Sequence, residues 1–233
     1  MPTPSRELDP RALGAARLGW FGGSFDPPHR GHLHVARTAM ELGDLDHVVW
    51  VPAARSPHKD AAPTSGDERA RLVELLLADD AAAGGELAGH SSIWTGELAR
   101  GGSSFTVDSL REVQAARVAA GRDRGLLLLL GSDQLVALHR WREVDAVLEL
   151  ARPLVVPRPG AGRELLDGLR EQLSPESFER VTAGMLAADE VDLSSTELRA
   201  GRAAGVGDLD LTPRVAARLA EAGLYRDPGP GDR

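Results

Sequence analysis

Two histidines three residues apart, set just behind a pair of glycines, are the residues of this chain best placed to do chemistry. They belong to the stretch Phe21-Gly22-Gly23-Ser24-Phe25-Asp26-Pro27-Pro28-His29-Arg30-Gly31-His32, which leads from an apolar run through a turn into the start of a helix. Glycines let a backbone approach a phosphate closely, and a helix start offers unsatisfied N–H groups at the positive end of its dipole. His29 and His32 add polar donors, cationic if protonated, at the same point. This set suits holding and reacting a nucleoside triphosphate. Two plainer readings stand beside it: the histidines merely open a helix, or, with His34, they ligate a metal. No cysteine is present to help a metal site, and the neighbouring stretches look like phosphate binders.

A second constellation lies far along the chain, at Asp192-Leu193-Ser194-Ser195-Thr196-Glu197-Leu198-Arg199. Hydroxyl residues starting a helix can turn both N–H and O–H groups on a phosphate, and Arg199, one turn in, is a multidentate donor. Ser194 and Glu197 also have capping-box spacing, a role that needs no ligand and is compatible with binding one. Gly131-Ser132-Asp133 follows the leucine run at the carboxyl end of a strand, where open α/β sheets bind ligands. Asp133 there would accept ribose hydroxyls, or Ser132 or Asp133 would cap a helix. Lys59, next to His58, is the only lysine among 27 basic residues. A compact ammonium suits phosphate oxygens, and coding bias toward arginine explains the count equally well. Trp141 is a stacking platform or a core residue; Trp20 and Trp50, inside strands, are core. Arg142 either helps an acidic ligand or is a solvated charge.

The elements that must position these groups alternate. Strands are expected at Arg17–Phe21, His47–Pro52, Ser92–Leu98, Leu126–Leu130, Pro153–Val156 and Val191–Leu193. Helices are expected from Gly31 to about Gly43, then at Asp67–Ala78, Thr106–Ala119, Glu164–Gln172, Pro175–Val181, Ser195–Ala200 and Pro213–Ala222. Leu126–Leu130 is apolar without alternation, which suits a central parallel strand covered on both faces. The pattern implies one α/β doubly wound domain with a mainly parallel sheet over residues 17–226. Residues 1–16 read as an N-terminal extension and residues 227–233 as a disordered tail.

Composition sets limits. With 233 residues, 42% of them apolar, the chain can bury a full core. A net charge of −8 argues against a nucleic-acid footprint, so positive field for an anionic substrate must be local. No secretory signal is evident, no apolar run approaches the ~20 residues of a membrane span, and cysteine is absent, so a cytoplasmic location is expected.

The histidine stretch resembles the GxFDPxHxGH motif of the HxGH nucleotidyltransferases, with Ser24 where many members have threonine. Asp192–Arg199 resembles the ISSTxxR signature of the same superfamily. Four further segments are similar to one branch, the bacterial-type nicotinate-nucleotide adenylyltransferases. They are Pro52-Ala53-Ala54-Arg55-Ser56-Pro57-His58-Lys59 (with Ser56 replacing a proline), Ser104-Phe105-Thr106, the run from Gly131 through Trp141 to Arg158-Pro159-Gly160, and the closing Ala222-Gly223-Leu224-Tyr225. The resemblance spans roughly residues 18 to 226.

It implies a Rossmann-like fold and adenylyl transfer from ATP, with Mg²⁺, to nicotinate mononucleotide. By the same resemblance His29, His32, Lys59 and Arg199 are catalytic. Gly22, Gly23, Ser24, Phe25, Gly131, Asp133, Ser194, Ser195 and Thr196 join both histidines and Arg199 in binding ATP. Ser24, His58, Lys59, Phe105, Thr106, Trp141 and Arg142 bind the pyridine nucleotide, and no metal is held by the protein alone. A sister transferase acting on nicotinamide mononucleotide or phosphopantetheine, or using CTP, stays open, as do a non-catalytic nucleotide-binding module and a homo-oligomer.

Overall fold

The five leucines of Leu126–Leu130 divide the molecule. Leu127 and Leu129 enter one apolar core and Leu126, Leu128 and Leu130 the other, so the strand they form is buried on both faces. The computed structural model describes residues 1–55, 64–158, 163–188, 199 and 210–225. Its strands, in chain order, are β1 (Pro4–Ser5), β2 (Leu18–Gly23), β3 (His47–Pro52), β4 (Ser91–Trp94), β5 (Leu126–Gly131) and β6 (Arg152–Val156). All pair in parallel, in the order β1-β4-β3-β2-β5-β6. Setting aside the edge strand β1, that order is third-second-first-fourth-fifth, the doubly wound, Rossmann-like arrangement.

Helices cover both faces. On one lie α2 (Arg30–Leu42) and α3 (Gly66–Ala82), whose Leu33, Val35, Leu72 and Leu76 pack on Phe21, Trp50 and Leu129. On the other lie α1 (Pro10–Gly14) and α5 (Thr106–Ala119), with Ala12, Val107 and Leu110 against Trp20 and Leu128. The remaining helices are α4 (Gly96–Arg100), α6 (Leu135–Leu138), α7 (Val144–Leu150), α8 (Arg163–Gln172), α9 (Pro175–Ala183) and α10 (Pro213–Glu221). Among the described residues no helix is long and apolar enough to cross a membrane.

Several elements differ from expectation. The segment ahead of Arg17, expected as an extension, supplies the edge strand β1 and helix α1. Buried Arg117 of α5 holds it by donating to the carbonyls of Ala12 and Ala15 at 3.1 and 3.0 Å. The strand expected over Ser92–Leu98 ends at Trp94, because Gly96 folds back over the Trp94 ring, where a Cβ would collide, and starts α4. Helices α6 and α7, of 4 and 7 residues, are too short for a helical apolar period to register in the sequence. The expected strand Val191–Leu193 lies outside the described residues, as do residues 227–233 and, apart from Arg199, the expected helix Ser195–Ala200.

Candidate active site

Chain order reverses between β2 and β5, so their connections leave on opposite sides and open a crevice at their carboxyl ends. Gly22 and Gly23 end β2 there, and Gly131 ends β5. A cleft of about 390 Å³ occupies the spot, and every described residue expected at the site lines it. A Cβ on Gly22 would meet nothing within 4 Å, so its absence serves the cleft rather than internal packing.

The two histidines form the cap of α2. His29 is the N-cap residue and its Nδ1 accepts the Gly31 N–H at 3.1 Å; His32 Nδ1 in turn accepts the His29 N–H at 3.1 Å. This is a capping box built from histidine in place of the usual hydroxyl and carboxamide. It fixes the tautomer: with each Nδ1 acting as acceptor, the ring hydrogen of the neutral form sits on Nε2. Burial, with the nearby Arg158 charge second, pushes His29 down to about 3, so at neutral pH it is an uncharged donor. The rings lie 3.9 Å apart. Helix opening uses Nδ1 of each ring and leaves Nε2 over, so the two readings of the sequence, set against each other, are compatible.

The turn between β2 and α2 is held from beneath. Arg69 of α3, 1% exposed, donates to the carbonyls of Ser24 (2.6 Å), Ala53 (2.6 Å), Ala54 (3.3 Å) and Thr64 (3.1 Å). One guanidinium thereby joins the loops that follow β2 and β3. Asp26 is buried and its carboxylate accepts the Tyr225 hydroxyl, which also bonds Thr64 Oγ1 at 2.6 Å. Burial, followed by the Asp26 carboxylate, pushes the Tyr225 phenol up. Arg199 Nη1 donates to the Asp26 carbonyl at 2.6 Å, which brings Arg199 to the cleft from 173 residues away in sequence.

On the β5 side, Ser132 Oγ accepts the Arg158 N–H at 2.8 Å, and Arg158 Nε stands 3.3 Å from Asp133 Oδ1. A Cβ on Gly131 would strike both partners of that pair. Beyond it the wall is aromatic. Phe105 and Thr106 lead into α5, whose first turn has no side-chain cap, and the Arg142 guanidinium lies 4.9 Å over the Phe105 ring. Trp141 is half-buried against the second core, so core packing and cleft lining are both true of it. Arg142 is exposed, with Asp108 and Glu143 at 3.7 and 3.6 Å.

His58, Lys59, Ser194, Ser195 and Thr196 lie outside the described residues. Three residues of the site were not singled out from the sequence. Arg158 sits two residues past β6, whose position beside β5 places it at the crevice. Arg69 carries no local signal in a chain this rich in arginine. Glu97 also lines the cleft; it is 6% exposed, and burial raises its pKa.

The cytidylyltransferase-like family model matches residues 20–201. A relative from Gemmatimonas aurantiaca, named "Probable nicotinate-nucleotide adenylyltransferase", is 39% identical over 91% of this chain and 93% of its own length. One of the same name from Gloeobacter violaceus is 35% identical over 91% and 97%. Among solved structures, the Plasmodium falciparum nicotinic acid mononucleotide adenylyltransferase complexed with NaAD superimposes with a TM-score of 0.68 at 14% identity, covering 90% of this chain and 97% of that one. Fold, motif residues and relatives agree that the chain belongs to the cytidylyltransferase-like family, within its nicotinate-nucleotide adenylyltransferase branch.

Proposed function

We propose that the chain, working in the cytoplasm, transfers the AMP of ATP to nicotinate mononucleotide, giving nicotinate adenine dinucleotide and pyrophosphate. The observation that carries this is the meeting of His29, His32, Arg158, Arg199 and the Phe105–Trp141 wall in one cleft at the switch point. Anion-binding groups occupy one edge and a flat aromatic surface the other, as a triphosphate and a pyridine nucleotide require.

A phosphate monoester has its second pKa near ~6, so the acceptor's phosphate is largely a dianion at neutral pH and needs no strong base. Its oxygen attacks the α-phosphorus; the new O–P bond forms as the bond to pyrophosphate breaks, and the pair goes to the leaving oxygen. The work left for the protein is to align two anions and stabilise charge as it moves. The Nε2–H groups of His29 and His32 would donate to the α-phosphoryl oxygens. As a neutral donor fixed by the helix cap, His29 pays no reorganisation when charge builds. Arg199 and Arg158, with Lys59, Ser195 and Thr196, would hold the departing pyrophosphate, and Asp133 the ribose. Ser24, His58 and Lys59 would take the acceptor's phosphate.

Among the described residues no group of three or more His, Cys, Asp or Glu side chains converges on a metal position. The cleft's N–H donors would hold the phosphates, and a Mg²⁺ would arrive with those phosphates rather than on the described side chains. Bound so, it would neutralise phosphate charge. The choice of nicotinate over nicotinamide is supported by the relatives' names and by the uncapped first turn of α5 with Arg142 beside it, which suit a carboxylate.

The test is pyrophosphate release from MgATP with nicotinate mononucleotide, nicotinamide mononucleotide and phosphopantetheine in parallel. A kcat/KM preference for nicotinate mononucleotide is expected. Turnover only with another acceptor overturns the substrate, and ATP binding without release under any condition overturns catalysis.

A further inference from the structure

Glu97 is a buried carboxylate in the wall of the cleft, and the reaction outlined above gives it no task. Its partners are specific. Ser109 Oγ donates to its Oε1 at 2.6 Å, and Ser109 in turn accepts from Arg100 Nη2 at 2.7 Å. Ser104 stands close enough to the carboxylate to help hold its charge. Ser104 Oγ accepts the Ala54 N–H at 2.9 Å, and the Ser104 N–H donates to the Arg55 carbonyl at 2.9 Å. The polar groups therefore run without a break from the loop after β3, through Ser104 and Glu97, to Ser109 inside α5.

We propose that Glu97 is a positioning residue for the acceptor nucleotide: its carboxylate clamps Ser104 to Ser109 and so fixes the Ser104–Thr106 segment against the loop after β3. The inference rests on the proposed reaction and deepens it. The local chain needs such a clamp. Between Glu97 and Ser104 run Gly101 and Gly102, both at φ 69°, a left-handed turn that side-chain-bearing residues resist. That turn throws the chain back over the cleft with no regular structure to hold it until α5 begins at Thr106. Phe105 and Thr106, the residues expected at the pyridine ring, sit at the end of this span. A carboxylate accepts at both of its oxygens, whereas a carboxamide presents an NH2 donor at one end. Glu97→Gln therefore leaves one of the two hydroxyls without its acceptor and removes the charge from both contacts, while keeping size and shape.

The experiment measures both KM values and kcat for wild type, Glu97→Gln, Ser109→Ala and the double variant, with MgATP and nicotinate mononucleotide. Ser109 is fully buried on α5 and does not line the cleft; its hydroxyl bonds Glu97 and Arg100, and only the hydroxyl is removed in Ser109→Ala, which leaves its N–H on the Phe105 carbonyl in place. Loss of one buried charged hydrogen bond predicts an acceptor KM raised about tenfold in Glu97→Gln, with the ATP KM within about twofold and kcat within about threefold. Ser109→Ala should move the acceptor KM in the same direction by less, and the double variant should be no worse than Glu97→Gln alone. Equal rises in both KM values, a fall in kcat alone, or additive effects of the two substitutions overturn the role. Should Glu97→Gln fail to fold, the KM pair for Ser109→Ala decides. A wild type that turns over no pyridine mononucleotide overturns the reaction and this inference together; an active wild type without the selective shift overturns the inference alone.

Discussion

The two edges of the cleft are built in different ways. The edge formed by β2 and α2 is held by bonds to backbone: four carbonyls on Arg69, one on Arg199, and two N–H groups on the histidine rings. His29, Asp26 and Arg69 are buried, His32 and Arg199 half-buried, and its loops cannot shift without unpairing several groups at once. The edge formed by Phe105, Trp141 and Arg142 is half open and joined by a ring contact and ion pairs longer than 3.5 Å. Exposed pairs of that kind hold little energy, so Arg142 can adjust to what enters, while Phe105 follows the Ser104–Thr106 segment. On the proposed reaction, charge would move at the first edge, where a misplaced donor costs rate, and the acceptor would be selected at the second, where area and shape matter more.

Breaking the rigid edge should show the largest effect. His32→Ala is expected to cut kcat at least about a hundredfold, the size seen when a preorganised donor to a developing anion is removed. It also removes a helix cap, worth about 1 kcal/mol, so a loss of stability could be mistaken for the cause. His32→Asn separates the two, since its short carboxamide can still cap the helix but carries no donor where Nε2–H stands. Single-turnover rates and thermal unfolding on both variants should show equal rate loss and unequal stability. A rate restored in His32→Asn would mean that capping is all His32 does.

Arg69→Met tests whether the support beneath the turn matters as much as the histidines above it. It leaves the carbonyls of Ser24, Ala53, Ala54 and Thr64 without their guanidinium, and unfolding in urea should show a loss of about 3 kcal/mol. Because this group joins the loops after β2 and β3 at four carbonyls, alongside the Asp26–Tyr225–Thr64 bridge, the folded variant should also lose kcat. Full stability in that variant would mean the carbonyls find water.

The rigid edge was largely legible in the sequence because glycine and histidine at fixed spacing report local geometry. Leu126–Leu130 was legible for a related reason: apolar side chains on both faces leave few options. Arg69 and Glu97 were not, since their tasks depend on partners 5 to 45 and 7 to 12 residues distant, and no periodicity marks a charged side chain that points inward. The N-terminal segment hid because a two-residue strand and a five-residue helix are too short to show a period; Asp9 caps the helix, and Arg117 and the sheet hold it in place. Arg158 stood within a recognised pattern, yet only the pairing of β6 with β5 gives it a place at the cleft.

At the adaptable edge, Trp141→Ala should raise the KM for the pyridine nucleotide about tenfold, the scale of losing one aromatic stacking surface, and change that for ATP less. Equal effects on both substrates would mark Trp141 as core alone. Arg142→Ala should leave stability within about 0.5 kcal/mol, as an exposed charge with distant partners does.

The effect with the least consequence for turnover compares two buried histidines at opposite ends of the sheet, His29 in the cleft and His47 at the start of β3. Burial holds His29 at about 3 and His47 at about 4, both below the ordinary 6.5. Between those values and 6.5 the unfolded chain takes up protons that the folded one refuses. Stability should therefore be greatest above pH 6.5 and fall as the pH drops toward 4. By pH 5 each histidine should account for about 2 kcal/mol, or about 5 °C in Tm for a chain of this size. Among the described residues His47 bonds Ser92 and does not line the cleft, so His47→Gln should remove its share of the acid slope and leave turnover at pH 7.5 intact. An unchanged slope in that variant would mean His47 already exchanges protons in the folded state, and the difference between a working edge and its scaffold would not extend to this pair.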